Sequence, residues 1–187
     1  MKLVRESIES LFEVGEATAA SYDISYDGIL KFWKNPDEKD WHVIGYSFIT
    51  EDNDKYIVTF MPIGKTQIID KKIFNVRVDF NREGKDPRES VNKGRMFKVL
   101  STICKIIKNY IKRNPHTFSI VIIPGKTESG KETRFNLYSK YIKSQLPSGW
   151  RTTVLNNPEA YEHESNQVFQ LVNDEKFNDY KAIKKSE

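Results

Sequence analysis

The sequence of 187 residues contains one cysteine, Cys104, and only three histidines. A single thiol cannot form an intrachain disulfide, so the sequence excludes the small disulfide-bonded scaffolds of secreted proteins. No two histidines or cysteines stand at the spacing of metal ligands, which argues against a metal site; the three histidines are His42, His116 and His163. Because Cys104 lies in a strongly apolar stretch, we expect its thiol to pack rather than react.

Long apolar runs are also missing. No stretch of about eighteen apolar residues occurs, and residues 1–6 do not begin a run of signal-peptide length. We therefore predict no membrane contact and a cytoplasmic location. The sequence has no Gly-x-Ser-x-Gly motif, and the pairs Gly64-Lys65 and Gly125-Lys126 lack the earlier glycine of a phosphate-binding loop.

Charge of one sign is not in large excess. The chain has 30 basic and 26 acidic residues, and a net charge of +4 is too small to require a nucleic-acid partner. The basic residues are nevertheless concentrated before and along one predicted helix: Arg82, Lys85, Arg88, Lys93, Arg95, Lys98, Lys105, Lys108, Lys112 and Arg113. We predict a basic face there.

Apolar residues make up 38% of the chain and aromatic residues 12%, enough for one domain that buries about 70% of its unfolded surface. Periodicity predicts an amphipathic helix over residues 1–15, an antiparallel meander over 20–81, a helix–strand–helix–strand half over 93–172, and a charged tail over 173–187. The predicted fold is α/β (α+β): a single domain, 1–187, with one mixed, mostly antiparallel sheet flanked by helices.

Two patterns in the second half support this fold. The helix over residues 93–113 has an apolar stripe that would pack flat on a sheet: Met96, Leu100, Ile103, Ile107 and Tyr110. Residues 117–123 are almost continuously apolar, which is typical of a strand in the centre of a sheet. We predict that the segments around Val76, Val121 and Val154 lie in one sheet with this helix packed against it.

The start of the long helix is a candidate phosphate site. Asn92, Lys93, Gly94 and Arg95 stand where unpaired backbone N–H groups and the helix dipole favour an anion, so a cofactor with a pyrophosphate would fit. The alternative is that Asn92 is an N-cap and that Gly94 has no special role.

A second constellation is Arg134-Phe135-Asn136-Leu137-Tyr138, followed by Gly149-Trp150. Here the chain resembles the GNAT superfamily of N-acetyltransferases, in which an Asn and a Leu-Tyr pair often stand in the last major helix, before a Gly-aromatic pair. It is also similar to uncharacterised tailed-phage proteins in the segment Lys98-Val99-Leu100-Ser101-Thr102 and the later Arg134 to Tyr138. The resemblance covers about residues 73–155 and implies a GNAT-like fold and an acetyl-CoA cofactor.

The resemblance also implies roles for individual residues. Tyr138 would protonate the departing CoA thiolate, and Asn136 would orient cofactor or substrate. The cofactor phosphates would bind at Lys93, Gly94 and Arg95, although the family's Arg/Gln-x-x-Gly-x-Gly/Ala pattern is represented here by Gly94 alone. The alternative is that Tyr138 packs with Phe135 and Ile142 in the core. The carboxylates Glu51, Asp52 and Asp54 are explained by turn chemistry, so no general base is assigned.

These observations lead to two alternative hypotheses for the function. The first is transfer of an acetyl group from acetyl-CoA, a CoA thioester, to an amine substrate by direct attack in a ternary complex. The second is a non-enzymatic phage or mobile-element protein whose basic face makes weak contacts with nucleic acid or a protein. A splayed pair of parallel strands near Ile120 and Thr152, opening toward Gly94, would favour the first, and closed strands would favour the second.

Overall fold

A computed structural model describes residues 20–31, 42–63, 68–69, 72–73, 75–85, 96–124, 133–156 and 166–185. The helix predicted over residues 1–15 lies outside these ranges, and so do Lys93, Gly94 and Arg95. None of the described helices is long and apolar enough to cross a membrane.

A mixed, mostly antiparallel sheet of seven strands is the centre of the fold, in the order β1-β2-β3-β6-β7-β9-β8. A short pair, β4 with β5, stands apart from it. Together with three helices the sheet gives an α+β fold, which confirms the predicted fold class. The strands are β1 (Ser25–Lys31), β2 (His42–Ile49), β3 (Lys55–Pro62), β4 (Ile68–Ile69), β5 (Lys72–Ile73), β6 (Asn75–Arg82), β7 (Ser119–Ile122), β8 (Trp150–Asn156) and β9 (Gln167–Asn173).

The first half of the sheet is the predicted meander. Strands β2 and β3 form the expected hairpin, closed by a turn in which the Thr50 carbonyl accepts from the Asn53 amide at 3.0 Å. Strand β1 pairs with β2 and contains a bulge between Tyr26 and Gly28. Gly28 has a φ of 77°, a left-handed conformation that residues with a Cβ rarely adopt, so this glycine permits the bulge.

The described residues contain three helices: α1 (Met96–Arg113), α2 (Thr133–Gln145) and α3 (Asp174–Lys185). The apolar stripe of α1 is buried as predicted, and Tyr110 stacks on Phe60 of β3 with ring centroids 3.9 Å apart. Helix α2 covers the same face of the sheet, because its Tyr138 contacts Phe80 of β6. Both predicted helices of the second half are therefore present, packed on one side of the sheet.

Strand β7 lies inside the sheet, as its apolar sequence predicts. It pairs in parallel with β6 and antiparallel with β9, and Ile120 stands opposite both Val76 and Leu171. The side chains of Ile120 and Ile122 are fully buried. The expectation that Val76, Val121 and Val154 share one sheet is confirmed, because these residues lie in β6, β7 and β8.

The parallel pair near Ile120 and Thr152 that would favour the acyltransferase function is not formed. Thr152 lies in β8, pairs antiparallel with Leu171 of β9, and is separated from β7 by that strand. The burial of the two strands explains this order. Most of β9 is buried and takes the interior position, whereas β8 is mainly half-buried or exposed and takes the edge. The parallel pair in this sheet is β6 with β7.

The segment over residues 173–187, predicted as a charged tail, contains the helix α3. Its start has an N-cap, because the Asn173 Oδ1 accepts from the Lys176 amide at 3.0 Å. Asp174 in the first turn binds Arg151 of β8 through two hydrogen bonds, of 2.6 and 2.8 Å. Further along the helix, Phe177 and Tyr180 pack against Phe118.

Replacing Ile120 with alanine tests the central position of β7. Ile120 is fully buried, so Ile120→Ala should lower the free energy of unfolding by about 2–5 kcal/mol. Ile49→Ala is the matched control, since Ile49 also lies in a strand of this sheet but is 59% exposed, and its effect should be about 0.5 kcal/mol or less. Urea denaturation measures both, and equal losses would contradict the assignment of β7 to the core.

Candidate functional site

The parallel strands β6 and β7 separate before β6 ends. They are paired over four positions, from Asn75 opposite Ser119 to Val78 opposite Ile122. Strand β6 then continues to Arg82 on its other neighbour, β3, whereas β7 stops. The sheet therefore opens at the carboxyl ends of these two strands, next to the residues Asp79 to Arg82.

The backbone of Phe80 points into this opening. In β6, the backbone N–H and C=O groups that bond to β3 belong to odd-numbered residues. The Asn75 carbonyl accepts from the Ile63 amide, and the Glu83 amide donates to the Lys55 carbonyl. Successive residues of a strand alternate sides, so the N–H and C=O of Phe80 face away from β3. No described strand residue stands opposite them, since β7 ends at Ile122.

Tyr138 borders the same opening. It lies in α2, is only 5% exposed, and its ring is tilted against that of Phe80 with centroids 5.4 Å apart. The tyrosine also belongs to the hydrophobic core together with Ile142, one turn further along the helix. The position of Tyr138 is therefore compatible with packing in the core and with a role for its hydroxyl at the opening.

Of the other predicted site residues, the structure describes only Asn136, and Asn136 does not join Tyr138 at this point. Asn136 is exposed, and it stands two positions before the buried Tyr138, which in a helix places the two side chains on different faces. Lys93, Gly94 and Arg95 lie outside the described residues, directly before the first residue of α1. The first turn of α1 has no acidic residue that would oppose an anion.

The Gly149-Trp150 pair has a local structural role. Gly149 has a φ of 82° in the turn before β8, and the Trp150 amide donates to the Pro147 carbonyl at 3.2 Å. A side chain at Gly149 would be strained in this left-handed conformation. Turn geometry alone therefore accounts for the glycine.

A polar cluster around Glu51, a residue that the sequence explained by turn chemistry alone, lies at the same end of the sheet. The Glu51 carboxylate, in the β2–β3 turn, accepts hydrogen bonds from the Lys98 ammonium of α1 and from the Tyr22 hydroxyl. These bonds hold the pKa of Glu51 at about 2, below its ordinary value of 4.5; Lys98 is the larger cause and Tyr22 the next. Tyr22, Glu51 and Lys98 are far apart in sequence, so no local pattern could have indicated this cluster.

An open pocket of about 610 Å³ adjoins this cluster, lined by residues 21–25 and 47–51 with Lys55 and Lys98. Lys55 also pairs with Glu83 just beyond the end of β6, at 3.1 Å. The pocket and the opening between β6 and β7 are thus at one end of the sheet. Strands are about 4.8 Å apart, so β2, which lines the pocket, is roughly 10 Å from β6.

Other chemistries find no support among the described residues. No group of three His, Cys, Asp or Glu side chains in this part of the chain could hold a metal ion. Cys104 is buried in α1, and burial raises the pKa of its thiol to about 12, so little thiolate is present at neutral pH.

No family model matches the chain, and neither a curated protein nor a solved structure is significantly similar to it. The function is therefore inferred from the opening between β6 and β7 and from the residues beside it, Phe80 and Tyr138.

The Glu51 cluster predicts a specific pH dependence. The pKa of Glu51 is lower in the folded chain than its ordinary value of 4.5, so its ionised form stabilises the fold above about pH 4.5. This contribution is lost as the pH falls toward about 2. Wild type should be more stable than Glu51→Gln near neutral pH, and the difference should disappear over that acidic range.

Denaturant unfolding of both proteins at several pH values measures this difference. Asp52→Asn, which removes the same charge from the same turn, controls for net charge. A difference between wild type and Glu51→Gln that is constant from neutral pH to pH 2 would contradict the assigned bonds.

Proposed function

We propose that the chain is a GNAT-like N-acetyltransferase that uses the opening between β6 and β7 to bind acetyl-CoA and transfers the acetyl group to an amine. The observation that carries the proposal is the backbone of Phe80, directed into an opening in the sheet that Tyr138 borders. The order of elements also supports it, because antiparallel strands, a long helix, a central strand, a second helix and two final strands match the order that the resemblance implies.

The pantetheine arm of acetyl-CoA is an extended chain with amide groups. Such a chain can add to a strand edge by hydrogen bonds to the main chain, as peptides do when they extend a sheet. The N–H and C=O of Phe80 offer one donor and one acceptor for this contact, in the place where the next strand is missing. The residues present therefore fit the cofactor.

The phosphates of the cofactor would be held at the start of α1. Lys98, in the first turn of α1, contacts Glu51 in the β2–β3 turn, and Glu83 at the end of β6 contacts Lys55 beside that turn. The N-terminus of α1 is thus at the same end of the sheet as the opening. Lys93, Gly94 and Arg95 directly precede it, and they remain the predicted phosphate ligands.

The roles of the side chains follow from this arrangement. Acetyl-CoA supplies a thioester, whose acyl carbon an amine can attack. The Tyr138 ring packs on Phe80 beside the opening, so its hydroxyl would protonate the departing thiolate, and the proton that the attacking amine loses would restore the neutral tyrosine. The pocket next to Glu51 is the proposed acceptor site, because it lies at the same end of the sheet as the opening.

Binding of acetyl-CoA is the first test of the proposal. A ligand present at about one hundred times its Kd stabilises the folded state by about 2.7 kcal/mol, which for a chain of this size raises Tm by roughly 5–10 °C. Thermal unfolding with acetyl-CoA, with adenosine as the control that lacks the pantetheine arm, measures this shift. An unchanged Tm at millimolar acetyl-CoA would refute the proposal.

The role of Tyr138 is tested by Tyr138→Phe, which keeps the ring against Phe80 and removes the hydroxyl. Turnover, followed as release of free CoA in the presence of a panel of amines, should fall by about 10²–10⁴-fold while the Tm shift with acetyl-CoA is retained. Tyr141→Phe is the matched control, since Tyr141 is three residues further along α2 and equally buried. Equal turnover in the two variants would contradict a role for the Tyr138 hydroxyl.

A further inference from the structure

The charges of the chain are segregated, although the net charge is small. Residues 90–158 contain 13 basic and two acidic side chains, a net charge of +11. The other residues contain 17 basic and 24 acidic side chains, a net charge of −7. The chain therefore has one strongly positive part, which includes both helices on the covered face of the sheet.

Helix α1 displays this charge as a row of lysines. Neither α1 nor α2 contains an acidic residue. Lys105, Lys108 and Lys112 are all exposed, and their spacings of three and four residues place them on one face of α1. At 1.5 Å per residue the row is about 10 Å long.

Helix α2 adds a second group beside the first. Its Lys140 and Lys143 are exposed. The two helices are neighbours, because the Lys108 Nζ donates to the Gln145 Oε1 at 3.5 Å and Phe97 contacts Tyr141. We call the five residues Lys105, Lys108, Lys112, Lys140 and Lys143 the lysine surface.

The charge on α1 is not neutralised by the fold. Glu51 forms an ion pair with Lys98, at the beginning of the helix. In the described part of the chain, no carboxylate lies within ion-pair distance of Lys105, Lys108 or Lys112. The positive potential of this surface is therefore available to an external anion.

The side chains around the lysines indicate which polyanion fits. An amphipathic helix that binds a membrane surface needs exposed apolar side chains, and a surface for single-stranded nucleic acid needs exposed aromatic ones. The large hydrophobic residues exposed in the described part of the chain all lie in strands: Tyr26, Ile29, Ile49, Val154 and Leu155. Among the side chains of α1 and α2 whose burial the structure describes, none is an exposed large hydrophobic residue.

We propose that the lysine surface binds the phosphate backbone of double-stranded nucleic acid without reading its sequence. Lysine ammonium groups contact phosphates and release counterions, so the affinity depends on charge and salt rather than on bases. The proposal does not rest on the acyltransferase function, because the lysine surface is on the outside of α1 and α2, whereas the opening between β6 and β7 is in the sheet beneath.

Fluorescence anisotropy with two unrelated DNA duplexes of about 20 base pairs tests the proposal. Both duplexes should bind with the same affinity. Four or five phosphate contacts predict that log K falls with log salt concentration at a slope of about −4, so affinity should drop several hundred-fold between about 50 and 200 mM salt. Vesicles of phosphatidylserine and phosphatidylcholine serve as an anionic surface without a duplex.

The double variant Lys105→Gln/Lys112→Gln locates the surface. It should make the salt slope about two units shallower and weaken duplex binding by roughly 10- to 100-fold at about 0.1 M salt. The matched control is Lys176→Gln/Lys181→Gln, which removes the same charge from α3 and should leave affinity within about threefold. Circular dichroism and melting curves check that both variants fold.

Three results would overturn the proposal. They are absence of duplex binding at about 50 mM salt, equal weakening by the α1 and α3 variants, and binding to the anionic vesicles without binding to either duplex. Equal binding of both duplexes, with a steep salt slope that only the α1 variant reduces, would support it.

Discussion

The four residue pairs between β6 and β7 hold the two halves of the sheet together. On one side of this junction lies the antiparallel meander of β1, β2 and β3, and on the other lie β9 and β8. A parallel pair cannot be closed by a tight turn, so the chain must cross over the sheet between these strands. Helix α1 is part of that crossover, and its buried stripe covers the sheet that the junction completes.

The same junction is too short to close the sheet. Strand β6 has eight residues and β7 has four, and Pro124, two positions after β7 ends, has no amide hydrogen with which to extend the ladder. The backbone of Phe80 is therefore left facing an opening that has Tyr138 on one side. The proposed ligand, an extended chain with amide groups, would pair with the backbone of Phe80 there.

Helices α1 and α2 cover the same side of the sheet, and they also determine the charge of the outer surface on that side. The buried apolar residues of α1 pack in the core with Tyr138, Tyr141 and Ile142 of α2, and in these two helices every charged residue is basic. A ligand in the opening and a polyanion on the helices can bind independently, since they use different sides of the same helices.

The sequence predicts the parts of this fold that have local patterns. The stripe of α1, the apolar run of β7 and the β2–β3 hairpin follow from periods of 3.6 or 2 residues and from turn residues. The order of β8 and β9 could not be predicted in this way, because both are strands and only their relative burial decides which one adjoins β7. The start of α3 did have a sequence signal, because the N-cap Asn173 is followed by Asp174 and Glu175 in the first turn. The prediction of a charged tail considered only the charge of this segment.

Less of the site than of the fold was predictable. Tyr138 packs on Phe80 beside the opening, and its catalytic role stays a prediction, whereas Asn136 is exposed on another face of α2. Glu51 contacts Lys98, which is 47 positions later in the sequence, and Tyr22, which is 29 positions earlier. Such a contact exists only after α1 has packed on the sheet, so no local pattern contains it.

The central claim is that the sheet opens at Phe80 and receives acetyl-CoA there, and amide hydrogen exchange at this residue tests it most directly. The account predicts that, without ligand, the Phe80 amide exchanges much faster than those of Val78 and Asp79, which pair with β7 and β3. Saturating acetyl-CoA should slow exchange at Phe80 and leave the other two unchanged. A Phe80 amide that is protected without ligand, or whose exchange does not respond to acetyl-CoA, would contradict the account.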